Sequence, residues 1–263
     1  MHSVSILGCG WLGKPLGVAL LRSGYTVLGS VTQQEKLAAI AETGIEPCLL
    51  KFDPQPAGDY SRFFQSEILI ISIPPRRKTG LATVYLEQLQ NVVQEAQRGT
   101  ISHIVFISST AVYPDLNRIV YEDDAAVDSY LTEAEKIVIT SGIQTTVIRF
   151  GGLIGAGRHP GRFLAGKQEV PGRTSPVNMI HQEDCIKIIQ AVVERNAWGE
   201  IFNACADEHP ARGEFYFLAS KQLGLEPPHF IEEDNSAYKI VCSEKLKKRL
   251  KYTFIYPDPL TMF

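Results

Sequence analysis

Short apolar runs alternate with amphipathic stretches along the first half of the chain. The runs are 4-VSIL, 26-TVLG, 68-ILIISI, 104-IVFIS and 147-VIRF, with 201-IFNA further on. They are nearly continuous rather than alternating, which suits strands buried on both faces of a parallel sheet. A helical stretch and a glycine stop precede several strands, at 22-RSGYTVLG, 42-ETGIEPCLL, 98-RGTISHIVFIS and 141-SGIQTTVIRF. Glycine suits that place because it enters the left-handed region without a Cβ clash. Strand and helix in alternation predict an α/β fold with a doubly wound parallel sheet.

After Phe150 the pattern loosens. Residues 151-GGLIGAGRHPGRFLAGKQEVPGRTSP-176 are rich in Gly, Pro and Arg and read as loop with short elements. Helices are predicted at 182–195, near 211–223 and near 243–250, with a strand near 201–205. The boundaries expected are a dinucleotide-binding core over 1–155, to which 177–205 returns, and a smaller substrate-side lobe from 156–176 and 206–263. The 263 residues, 44% of them hydrophobic, suffice for one large core with such a lobe.

Charge and cysteines narrow the function classes. The formal charge of −3 gives no sign of a nucleic-acid partner. The cluster 245-KLKKRLK-251 has Leu246 and Leu250 four apart, as on a helix with a solvated basic face. Five scattered cysteines without a CxxC pair argue against a disulfide framework or zinc site and for a reduced, cytoplasmic setting. No run approaches about 18 apolar residues, and a strand follows Met1 and His2 almost directly. Neither a membrane span nor a signal peptide is expected.

The strongest local motif is 5-SILGCGWLGKPLG-17, a Gly8-x-Gly10-x-x-Gly13 turn between a strand and a helix. Gly8 serves the tight turn, Gly10 the close approach of a pyrophosphate, and Gly13 the packing of helix on strand. The helix N-terminus offers N–H groups to the phosphates, and Pro15 is tolerated in its first turn. A Rossmann-type NAD(P) site follows, touched by Gly8, Gly10, Trp11, Leu12 and Gly13. The second strand ends in 28-LGSVTQQEK-36 with no acid from Gly29 to Thr32. A carboxylate that would repel a 2′-phosphate is absent, and Ser30 and Thr32 offer hydroxyls, so the reading leans to NADP. At the strand end 70-IISIPPRRK-78, Ser72, Ile73 and Pro74 are expected to touch the coenzyme, with Arg76 and Arg77 in a solvated loop.

By these residues the chain resembles the extended, atypical short-chain dehydrogenase/reductases, the NAD-dependent epimerase/dehydratase superfamily. The likeness runs nearly end to end through 106-FISSTAVYP, 147-VIRFGGLIGAGR, 177-VNMIHQEDC and 201-IFNACADEHP. The glycine loop is one residue shorter than the superfamily's usual GxxGxxG. A closer likeness, to a YeeZ-like bacterial branch, rests on 8-GCGWLGKPL, 153-LIGAGRHPGRF-163, 209-HPAR-212, 223-LGLEPP-228 and 256-YPDPL-260.

The superfamily's catalysts use Tyr-x-x-x-Lys on one helix face, with a Ser or Thr from the preceding strand end. In 127-VDSYLTEAEK-136, Tyr130 and Lys136 are six apart. Six residues turn roughly 240° and rise about 9 Å, so the two do not share a face. Aligning the superfamily's later glutamate on Glu135 puts Val127 and Leu131 in the two slots. Tyr130 is therefore a weak catalytic candidate and is read as a partly buried helix tyrosine. Ser109 matches the catalytic Ser/Thr position, and Ser108 is expected to line the coenzyme.

Tyr113 and His181 are further weak catalytic candidates. The resemblance places 157-GRHPGRF-163 beside the substrate, so Arg158, His159 and Arg162, with Asn178, are substrate-binding candidates for a small, possibly anionic molecule. No ligand-spaced histidine set appears, and no metal is expected. Two readings from different classes stay open: an oxidoreductase with a non-standard proton donor, and an NAD(P)-binding sensor or scaffold without turnover. A nucleotide-sugar epimerase ranks below both because it needs the same absent base. A monomer or homodimer fits either.

Overall fold

The computed structural model describes residues 2–53, 55–58, 60–75, 82–232 and 236–263. Arg76 and Arg77 lie outside them. A seven-stranded sheet is built from β1 (Ser3–Leu7), β2 (Thr26–Val31), β3 (Glu46–Leu49), β4 (Ile68–Ile71), β5 (His103–Ser109), β6 (Gln144–Phe150) and β7 (Ile201–Ala204). Its order is β3-β2-β1-β4-β5-β6-β7. The pairs β1 with β2, β1 with β4, β2 with β3 and β4 with β5 run parallel. This is the doubly wound α/β order, with the strand direction of travel reversing at β1 and β4.

The helices are α1 (Gly13–Arg22), α2 (Leu37–Ala41), α3 (Ala82–Arg98), α4 (Tyr130–Ile139), α5 (Gln182–Glu194), α6 (Arg212–Gln222) and α7 (Glu244–Leu250). The sequence pattern anticipates the later ones to within a residue or two. The basic cluster forms α7, which buries Leu246 and Leu250 and leaves Lys245, Lys248 and Arg249 exposed.

The chain divides into two compact units. Unit 1 comprises Met1–Ser108, Val127–Ile148 and Ile189–Ile201. Its core joins Leu69 and Ile71 of β4 and Phe106 of β5 to α3. Helix α3 is buried at Tyr85, Leu89, Val92, Val93 and Ala96, an apolar stripe at the helical period. Unit 2 comprises Ser109–Ala126, Arg149–Ile188 and Phe202–Phe263. Its own cluster holds Ile154, Val177, Met179, Phe215, Tyr216 and Met262. Asp184, in the first turn of α5 as expected, is fully buried. It accepts from the Tyr252 hydroxyl at 2.7 Å and from the main-chain N–H groups of Ile255 and Tyr256 at 2.8 and 3.1 Å. One carboxylate thus ties the carboxyl-terminal tail to the start of that helix.

Three of the glycine stops, Gly24, Gly44 and Gly142, take positive φ as the pattern requires. Gly99 does not. Its α-carbon packs directly on the Phe64 carbonyl, and the next N–H, of Thr100, donates to that same oxygen at 2.9 Å. Close approach of main chain to main chain, not a left-handed turn, is what excludes a side chain there. We predict that Gly99→Ala destabilises by at least the ~1–3 kcal/mol typical of overpacking, whereas Gly142→Ala, which meets open space, costs only the left-handed penalty of ~1–2 kcal/mol. Urea unfolding of the two variants reads the order; a smaller loss at Gly99 contradicts this packing.

Candidate functional site

The glycine turn sits at the carboxyl end of β1 in unit 1. Gly8 has φ +102°, and a Cβ there would lie 2.8 Å from the Ser72 carbonyl oxygen. A Cβ on Gly13 would run into the Gly8 carbonyl. Both positions are closed by the protein's own main chain. Gly10 differs: a Cβ there would meet nothing within 4 Å. The fold leaves Gly10 free, so any requirement for glycine comes from a ligand approaching the main chain.

The N–H groups agree with this. Lys14 donates to the Gly10 carbonyl at 3.0 Å and Leu16 to that of Leu12 at 3.1 Å. Among the described residues, no acceptor faces the N–H groups of Gly10, Leu12 or Gly13. Such N–H groups at a helix start, with the partial positive charge of α1 behind them, suit an anion such as a pyrophosphate. Leu12 is buried and Trp11 half-buried, so the turn is anchored at its middle by side chains. The residues present therefore fit a dinucleotide.

Ser30 needs a correction. It was expected to offer its hydroxyl to the coenzyme's ribose, but it is buried, and its oxygen accepts the Gly8 N–H at 2.9 Å. Its carbonyl takes the Cys9 N–H at 2.8 Å. Ser30 holds the turn in shape, its buried oxygen turned to the Gly8 N–H. Thr32 is exposed just beyond β2. At the end of β4 the Ser72 N–H bonds Leu7, and Ile73 packs on the core and against Gly8, while Pro74 is exposed. Ser72 and Ile73 border the glycine turn.

Ser108 is half-buried, and its hydroxyl donates to buried Glu135 of α4 at 2.5 Å. The proton expected to face the coenzyme is committed to that carboxylate. Tyr130 opens α4 behind the Ser129 cap and packs on the unit 1 core, while Lys136 is exposed in the last turn. The two are not brought together.

In unit 2, Ser109 caps the short turn Thr110–Val112 by accepting the Ala111 N–H at 3.2 Å. Accepting leaves its own hydroxyl proton available to a ligand. Tyr113 is corrected as a catalytic candidate. It is 3% exposed, its hydroxyl donates to Asn203 Oδ1 at 2.6 Å, and it accepts from the buried Arg149 guanidinium at 2.6 Å. Burial pushes its pKa up to about 12 despite Arg149 nearby, so the phenol stays protonated and out of reach. Arg149 also donates to the Glu122 carbonyl at 2.6 Å, and Glu122 Oε1 accepts the Asn203 N–H at 3.0 Å. The four side chains form one buried network. Its sequence signal was the arginine inside the apolar run 147-VIRF, which only a buried partner makes tolerable.

Two substrate candidates have hydrogen-bond partners within unit 2. Asn178 spends both ends of its amide on the short strand Lys239–Val241, donating to the Lys239 carbonyl at 2.9 Å and accepting the Val241 N–H at 2.8 Å. His159 accepts the Gly161 N–H at Nδ1, 3.1 Å, and its Nε2 bonds Gln222 at 2.9 Å. Both rings of contact are structural. Arg158 and Arg162 are exposed around the turn Pro160–Arg162. His181 accepts the Glu183 N–H at Nδ1, 3.3 Å, and its ring lies 4.0 Å from that of Tyr256. Among the described residues no group of three metal-ligating side chains is present, and no helix is long and apolar enough to cross a membrane.

The fold is that of the extended short-chain dehydrogenase/reductases. A superfamily member from Agrobacterium tumefaciens with bound NAD matches at a TM-score of 0.77 and 18% identity, over 98% of this chain and 94% of that one. A UDP-glucuronic acid 4-epimerase from Bacillus cereus, in complex with UDP-glucuronic acid and NAD, matches at 0.79 and 17%, over 99% and 97%. No family model matches. The chain belongs to the YeeZ family: it is 37% identical to protein YeeZ of Escherichia coli K12, over all of this chain and 99% of that protein.

Burial lowers the His181 pKa below the ordinary 6.5 against the pull of Asp184 and Glu183. The native state therefore binds fewer protons here than the unfolded chain, and the stability this ring contributes is present above 6.5 and lost as pH falls through its lower folded value. We predict an NMR titration midpoint for His181 below 6.5; one at or above it contradicts the half-buried placement against Tyr256.

Proposed function

We propose that the chain binds a nicotinamide dinucleotide at the Gly8–Gly13 turn and is an oxidoreductase acting on a small carbonyl or alcohol substrate. The observation that carries the first part is Gly10, whose α-carbon faces open space beside N–H groups without acceptors. The bound coenzyme would supply the hydride chemistry. Ser109 donates its remaining hydroxyl proton to the substrate's carbonyl oxygen, which polarises it. The proton donor is not the superfamily's tyrosine. Tyr130 and Lys136 do not share a helix face, so the lysine that the superfamily sets beside its tyrosine is missing from that place. The coenzyme is NADP(H) in preference to NAD(H). With Ser30 spent on Gly8, this rests on the lack of a carboxylate at the end of β2 and on exposed Thr32.

A second reading, an NAD(P)-binding sensor without turnover, is favoured by a specific observation: of the tyrosines considered, Tyr113 is locked in the Arg149 network and Tyr130 lacks its lysine. The two readings share the dinucleotide site and part at turnover.

Gly10→Val is expected to leave the unfolding midpoint nearly unchanged and to weaken coenzyme binding at least about tenfold, a loss of ~1.4 kcal/mol or more. Equal binding by the variant, measured by calorimetry, sinks the site. NADP(H) is expected to bind more tightly than NAD(H); the reverse order overturns the coenzyme choice alone. With a carbonyl substrate that shifts the reduced-nicotinamide absorbance, Ser109→Ala is expected to slow turnover by about a hundredfold. A panel of carbonyl compounds that never shifts it favours the sensor.

A further inference from the structure

Two arginines of unit 2 lie crosswise over each other's neighbouring glycine. The turn Gly172–Ser175 closes through the Ser175 N–H and the Gly172 carbonyl at 3.1 Å. It docks on the start of α6, where the N–H groups of Arg212 and Gly213 donate to the carbonyls of Ser175 and Arg173, both at 2.9 Å. A Cβ on Gly172 would lie 3.3 Å from Arg212 Nε and 3.1 Å from Ser175 Oγ. A Cβ on Gly213 would lie 2.9 Å from Arg173 Cγ and 3.7 Å from its Nε. The stem of Arg212 therefore crosses Gly172, and the stem of Arg173 crosses Gly213.

The arrangement concentrates positive charge. Arg212 is further fixed by its guanidinium over the ring of buried Tyr216, 5.5 Å from the centroid. That leaves the guanidinium's edge, with its N–H groups, for another partner. Among the described residues, neither Arg173 nor Arg212 has a carboxylate partner. Ser175 is 9% exposed, its hydroxyl has no hydrogen-bond partner among the described residues, and it and Arg212 Nε both lie against Gly172. The first N–H groups of α6 are already bonded to the turn, so the helix end adds no donor of its own. What remains is two guanidinium forks and one idle hydroxyl at a seam of two side-chain-free residues.

We infer that Arg173, Arg212 and Ser175 bind the phosphoryl group of a small-molecule ligand. The two positive charges of Arg173 and Arg212 match the double negative charge of a phosphate monoester. Its three oxygens accept from two forks at once, which a carboxylate's two oxygens do less well. These three residues are other than Arg158, His159, Arg162 and Asn178, the anion-binding candidates read from the sequence. Calling the ligand a substrate rests on the oxidoreductase reading; the binding itself does not, and its test needs neither coenzyme nor turnover.

The full chain is titrated with inorganic phosphate at constant ionic strength, without coenzyme, and the arginine Nε–Hε resonances are followed by NMR. Saturable binding is expected to move the Arg212 signal. Arg173→Gln and Arg212→Gln are each expected to weaken it about tenfold or more, the worth of a hydrogen-bonded charge contact. Arg195→Gln, at an exposed arginine of unit 1, leaves it unchanged. Because Arg212 also packs on Tyr216, exposed Arg173 supplies the variant that keeps its fold, checked by its melting curve. Absence of saturation at tens of millimolar, unaltered binding in Arg173→Gln, or acetate binding as tightly as phosphate would overturn the assignment.

Discussion

The contact of the Gly13 α-carbon with the Gly8 carbonyl sets the shape of the turn at which unit 1 is proposed to hold a nucleotide. It draws the start of α1 against the end of β1 more closely than any side chain allows. That closeness leaves the N–H groups of Gly10, Leu12 and Gly13 together without acceptors, and it leaves the space over Gly10 open. Ser30 holds the other side of the turn by accepting the Gly8 N–H. Packing and chemistry are one constraint here: the glycines that close the turn are needed by the fold, and the one that faces outward is needed only by a ligand.

The same economy extends to the polar side chains around the strand ends. Ser108 and Glu135 bond to each other inside unit 1, and Tyr113 is absorbed into the buried network with Arg149, Asn203 and Glu122. A buried arginine is tolerable only with its donors satisfied, so these partners are tied to one another. The Ser108 hydroxyl, expected to line the coenzyme, and that of Tyr113, a weak catalytic candidate, are both hydrogen-bonded within the fold. Ser109, whose oxygen accepts one N–H and whose proton is uncommitted, stands apart from them.

Much of the fold was legible in the sequence because burial on both faces leaves a plain mark: the runs 68-ILIISI and 104-IVFIS became adjacent parallel strands. The glycine turn was legible for the same reason, since each glycine answers a steric demand. Gly99 shows the limit. Its position after a helix read as a left-handed stop, whereas the demand came from Phe64, distant in sequence. The site residues fared less well where a polar side chain has a partner far along the chain. Asn178 with Lys239 and Val241, His159 with Gln222, and Ser30 with Gly8 all looked available until their partners were in place. Arg173 and Arg212 are the converse: nothing in their spacing of 39 positions brings them together, and the two glycines beside them acquire meaning only when superposed.

The most direct measurement of the central claim is the backbone amide spectrum of the protein titrated with oxidised nicotinamide coenzyme. The amides of Gly10, Leu12 and Gly13 should move together and saturate, as donors that acquire a pyrophosphate acceptor. Coenzyme that binds while those three resonances stay still, or no binding of either coenzyme at millimolar concentration, would contradict the account.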